Sequence, residues 1–202
     1  MSHEHTIHHH FSRWIWAVIL GLVLTFVSLV AANTIWLPVV KEKIVIPMII
    51  ISASFKDKSE IPVRHTCDGE NTSPALSWTN VPAGAKSVAL IVDDPDAPDP
   101  AAPKMTWVHW VLYNISPDIK GFVESVAVGN LPIGTLQGMN DWQRTGYGGP
   151  CPPIGKHRYF FKIYALDYVL PDLKRPTKEA LEKAMQGHVL AQTELIGLYQ
   201  RK

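Results

Sequence analysis

The chain has 202 residues, 47% of them hydrophobic and 18% charged, with 19 Lys and Arg against 18 Asp and Glu. An apolar fraction this high excludes global disorder, and the length suits one domain with an appendage rather than two full domains. Three of the basic and two of the acidic side chains fall in residues 1–43, leaving 16 of each for 44–202; this balance lacks the basic footprint that grips a phosphate backbone, so nucleic acid is not an expected partner.

In chain order, residues 1–13 form a tail with five of the nine histidines (His3, His5, His8, His9 and His10). It reads as a solvated segment, since nothing fixes a metal-binding geometry and no H-E-x-x-H spacing occurs. Between Arg13 and Lys41 lie 27 residues without a charge, with Trp14 and Trp16 at one end and Trp36 at the other. About 20 residues of helix cross a bilayer, so the run predicts a transmembrane signal anchor over 14–38, followed by a linker over 39–44. A secretory signal cleaved near Ala32 is the rival reading; against it, the apolar run exceeds the roughly 7–15 residues of such a signal.

From residue 45 onward the pattern changes to short apolar runs punctuated by Pro, Gly, Asn and Asp. The run 44–51, rich in isoleucine and interrupted by Pro47, reads as an edge strand. Buried or β-branched and aromatic strands are expected at 87–93, 107–115 and 157–166. A Pro-rich loop (95–104) and a Gly-rich stretch (146–155) separate them. Near the C-terminus Thr177 is a candidate N-cap, with Leu181, Ala184 and Met185 on one helical face. Gly187 is expected to end or kink that helix, and 189–200 to continue in helical style.

Four clusters carry chemistry. Asp93, Asp94, Asp96 and Asp99 follow a strand in a proline-stiffened loop, and carboxylates so placed bind a cation, move protons or accept amide hydrogens. His109 sits inside an apolar strand, where a hydrogen-bonded core histidine is the plainer interpretation. His157 and Tyr159 share one face of their strand, and Arg158 takes the other. The glycines of 146–155 permit close approach to backbone N–H groups without matching a dinucleotide or phosphate-loop motif, and an X–Pro bond there has the chance to be cis.

Taken together, DDPDAP, VHWVLYNI and GYGGPCPPIGKHRYFFKIYALD resemble the phosphatidylethanolamine-binding protein family, most closely its bacterial Raf-kinase-inhibitor-like branch; RHTCDGENTSPALSW and GHVLAQTELIGLYQR resemble it too. The likeness covers about 45–202. It implies a mostly-β antiparallel sandwich with a few peripheral helices, here preceded by the N-terminal transmembrane helix. It also implies a small anion pocket built by Asp94, Asp96, His109, Gly149, Pro150, His157 and Tyr159. Such a pocket takes phosphate, phosphorylethanolamine or a small carboxylate, with the imidazoles and phenol donating and the aspartates orienting them or receiving an ammonium. If an imidazolium contributes, anion affinity falls between roughly pH 6 and 8. Cys67 and Cys151 flank this pocket; a disulfide between them and two free buried thiols remain alternatives.

The expected function is therefore a membrane-anchored binding protein for a phosphate-bearing or carboxylate small ligand, a phospholipid head group or a phosphorylated partner. Inhibition of a kinase or protease by protein contact is the second reading, and a His/Asp hydrolase the third. No catalytic residue, metal or other cofactor is assigned. The expected location is the bacterial inner membrane, with the domain facing the periplasm.

Overall fold

The computed structural model describes residues 46–126 and 128–202. The His-rich tail, the 14–38 segment and the 39–44 linker lie outside the described residues. One expectation is corrected: among the described residues no helix is long and apolar enough to cross a membrane, and what they form is a mostly-β domain.

Two sheets form. The smaller holds β1 (Ile49–Ser52), β3 (Leu76–Thr79) and β6 (Gly121–Phe122) in the order β1-β3-β6. The larger holds β2 (Ser59–Glu60), β4 (Ser87–Ala97), β5 (Met105–Ile115), β7 (Leu136–Gln137), β8 (His157–Leu166) and β9 (Val189–Tyr199) in the order β2-β9-β8-β4-β5-β7. All pairings are antiparallel except β2 with β9, which is parallel. As expected, β1 is an edge strand, and it begins after Pro47, whose ring removes the N–H a ladder needs.

The central strand β4 is buried along both faces, which explains its unbroken apolar run. Val88, Leu90 and Val92 point into the sandwich with Trp110 and Leu112 of β5, Phe161 and Ile163 of β8, and Trp78 of β3. Ala89 and Ile91 point the other way and meet Leu170, Leu181 and Met185. The last two belong to α1 (Lys178–Met185), the one α-helix among the described residues; Thr177 caps it by accepting from Ala180 N at 3.3 Å.

The C-terminal segment departs from expectation. Residues 189–199 form a strand paired along β8 from His157↔Tyr199 to Leu166↔Val189. The run VLAQTELIGLYQ reads in helical style, but burial follows a period of two through Leu195, Gly197 and Tyr199. The open edge of β8 outweighs the local preference.

Candidate functional site

Because β4 runs antiparallel to both neighbours, its C-terminal end lies beside the first residues of β5 and β8. Sequence-distant groups meet at this end of the sheet. The pleat sorts the aspartates: Asp93 faces α1, where its Oδ2 accepts from Lys178 Nζ at 2.6 Å and Lys162 Nζ at 2.9 Å. Asp94 faces the opposite way and meets His157.

His109 reaches the same place through an irregularity. Val92 pairs with Trp110 but Asp93 pairs with Val108, so His109 is the extra residue of a bulge in β5. A bulge re-aims a side chain that strict alternation would send to the other face. The His109 ring stands edge-on to Tyr159 at 5.2 Å and to Trp142 at 5.1 Å between centroids. His157 and Tyr159, two residues apart on β8, lie near-parallel at 6.4 Å.

These groups border a cavity of about 420 Å³. Asp94, His109 and His157 form its polar floor, and Lys104 stands in its wall. The remaining walls are chiefly apolar, with Met105, Trp107, Trp142, Pro152 and Pro153 prominent. Tyr159 is fully buried against the floor histidines rather than in the wall.

The hydrogen bonds fix the protonation pattern. His157 Nε2–H donates to the Ile154 carbonyl at 2.9 Å, so its Nδ1 and Asp94 Oδ2 share a proton across 2.6 Å. Asp94 Oδ1 accepts from Asp96 N at 2.8 Å. Burial raises the Asp94 carboxyl above its ordinary value, with the His157 contact opposing that rise. His109 Nδ1–H donates to the Gly148 carbonyl at 2.7 Å. Burial lowers its pKa to about 4, so the ring is neutral near pH 7. His109 Nε2 and Tyr159 Oη are buried without a hydrogen-bond partner. Burial keeps the Tyr159 phenol protonated far above the usual range.

The other anticipated residues act at one remove. Asp96 accepts from Arg158 N, Nε and Nη2 at 2.9, 2.9 and 2.6 Å, and that bidentate clasp holds its carboxyl below the ordinary value. Gly149 N donates to Asn71 Oδ1 at 2.7 Å, while the Pro150 carbonyl accepts from Cys67 N at 3.0 Å. A Cβ on Gly149 would overlap the His65 carbonyl oxygen and the Thr66 backbone. Gly149 and Pro150 thus lash the 146–156 loop to the 63–72 segment, and neither borders the cavity. A Cys67–Cys151 disulfide adds a covalent tie at the same place, with Cα atoms 5.4 Å apart. The cis X–Pro bond found among the described residues is Ala97–Pro98, not one in the 146–155 loop.

The chain matches the family model described as phosphatidylethanolamine-binding protein over residues 51–200. The chain belongs to the phosphatidylethanolamine-binding protein family. A UPF0098 protein of Methanothermobacter thermautotrophicus is 55% identical over 149 residues, which is 73% of this chain and 95% of that protein. The fold matches that of a phosphatidylethanolamine-binding protein homolog from Chlamydia trachomatis, with TM-score 0.70 and 42% identity, covering 77% of this chain and 99% of the other. It also matches E. coli YbcL, described as a new member of the mammalian PEBP family, with TM-score 0.71 and 30% identity over 78% and 100% of the two chains. The mostly-β architecture implied by the sequence is thus the family fold.

The cavity-wall tryptophans, Met105 and Lys104 escaped sequence reasoning. Trp107 sits in a strand whose aromatics read as core, and Trp142 in a stretch without periodicity. Aromatic density beside His109 in sequence is a signal for Trp107 alone.

Proposed function

We propose that this family member is a binding protein whose cavity seats the head group of a small phosphate- or carboxylate-bearing molecule. The observation that carries this reading is the pair of buried, unpartnered polar atoms, His109 Nε2 and Tyr159 Oη, beside the Asp94–His157 pair at a cavity otherwise walled by apolar side chains. Buried polar groups are normally satisfied, and unsatisfied ones at a concave site mark where a ligand supplies the partner. The volume suits a small molecule rather than a chain of sugars or nucleotides.

Two facts favour binding over turnover. Both cysteines of the chain are joined in the disulfide, so no thiolate stands beside the imidazoles. His157 has both ring nitrogens engaged. The disulfide supports an oxidising, extracytoplasmic setting such as the periplasm.

Calorimetric titration with inorganic phosphate and phosphorylethanolamine, alongside native mass spectrometry of the protein as purified, tests the reading. One site per chain, weakened at least tenfold by His109→Ala, is the expected result. Absence of binding for both compounds and of any retained small molecule would overturn it.

A further inference from the structure

We propose that an oxyanion occupies this cavity together with one proton, held between a ligand oxygen and Nε2 of His109. This rests on the binding reading above and specifies the chemical form of the ligand: a protonated oxyacid, not the free dianion.

The argument starts from the donors and acceptors on the cavity floor. His109 is 2% exposed, and its Nδ1–H is committed to the Gly148 carbonyl. In the neutral ring, Nε2 is therefore an acceptor only. The titratable groups around it, Lys104 apart, are already engaged. Asp94 on β4 shares the His157 proton, and Asp93 on the other face is clasped by Lys162 and Lys178. Asp141 Oδ2 accepts from Val108 N at 2.7 Å. On β8, both nitrogens of His157 are taken. Lys104 stands in the cavity wall beside apolar side chains.

A dianion placed on this floor would meet the His109 lone pair and the Asp94 carboxylate, both repulsive. A group carrying an O–H fits instead. Its O–H donates to His109 Nε2, the buried and unpartnered acceptor that the cavity floor presents. In solution near neutral pH a phosphomonoester has lost its second proton, whose pKa is about 6. Binding then draws one proton from the buffer: ligand dianion plus one hydrogen ion gives the bound monoanion, with no other bond made or broken.

Methyl phosphate is a suitable probe, since its dianion carries no hydrogen-bond donor. Titrations at about pH 8 in buffers of different ionisation enthalpy count the protons taken up. The expected result is about one proton per methyl phosphate, with affinity falling about tenfold per pH unit above about pH 7. In His109→Gln the amide N–H replaces the proton, so uptake vanishes and affinity becomes flat with pH. Methyl phosphate bound by the wild-type protein with no proton uptake would overturn the proposal and leave the binding reading standing. Undiminished uptake in His109→Gln would overturn the assignment to His109. Absence of methyl phosphate binding at both about pH 6 and about pH 8 would overturn the proposal, and binding of phosphorylethanolamine or a retained small molecule would then leave the binding reading standing. The wild-type proton count stands alone should the variant fold poorly.

Discussion

Asp94 Oδ2 and His157 Nδ1 lie 2.6 Å apart, both side chains buried, although 63 residues separate them in the chain. Antiparallel pairing of β4 with β8 brings them together, and each is held from behind, Asp94 by Asp96 N and His157 by the Ile154 carbonyl. Removing one partner of such a pair strands the other without solvent. Asp94→Ala is expected to lower the unfolding free energy by about 3–5 kcal/mol, and Asp94→Asn, which still accepts a hydrogen bond, by less. Urea denaturation monitored by tryptophan fluorescence measures both; equal stability for all three proteins would show that the pair carries no structural weight.

His109 makes stability depend on pH. Its folded pKa of about 4 lies below the unfolded value of about 6.5, so the unfolded chain takes up the proton first. This contribution is absent above about pH 6.5 and costs stability as pH falls toward about 4, to a total of roughly 3 kcal/mol. Asp94 acts in the opposite sense. Its raised carboxyl contributes stability that is complete below the ordinary aspartate value and is lost as pH rises through its folded value. Urea midpoints of wild type and His109→Gln across this range isolate the histidine: the two curves should diverge as pH falls from 6.5 to 4. Parallel curves would contradict the buried neutral ring.

The disulfide links residues 84 apart in sequence and restrains a loop already tied by four hydrogen bonds, from Cys67 N, Gly149 N, Gly148 N and Tyr147 Oη. Closing so long a loop restricts the unfolded chain, so the Cys67→Ser, Cys151→Ser double variant is expected to lose about 2–4 kcal/mol. Retained phosphate binding in that variant is expected, since the hydrogen bonds still seat the Pro152–Pro153 wall. Mass measurement with and without reductant checks that the bond is present.

Gly149→Ala tests the close approach of the loop to residues 65 and 66. The added methyl meets backbone on two sides, so the segment must shift, at a cost of about 1–3 kcal/mol in thermal or urea unfolding. A stability within error of wild type would mean that the loop has slack at this point.

Much of this arrangement was legible in the residues. Unbroken β-branched and aromatic runs announced β4, β5 and β8, and those strands carry Asp94, His109 and His157 to one place. Strand β4 runs four residues beyond the expected limit, through Asp94-Pro95-Asp96 to Ala97, because register shifts let the proline-rich segment keep pairing with β5. The pleat separates Asp93 from Asp94, which alternation could have revealed; that Asp96 would serve Arg158 could not be seen, since it depends on those shifts. The bulge that aims His109 has no sequence signature. Strand β9 reads as helical in sequence because its local pattern does not disclose the open edge it fills. The short strands β2, β6 and β7, two residues each, lack a period to detect.

Long-range proton–nitrogen NMR of the histidine rings, with methyl phosphate added to saturation, tests the central claim most directly. In the free protein the His109 ring should carry hydrogen on Nδ1 and a bare Nε2. On saturation the His109 Nε2 resonance should move toward the protonated position, while His188, remote from the cavity and paired with Asp167, stays in place. Rings of His109 and His157 unmoved in a saturated sample, or a dominant shift at His188, would contradict the account.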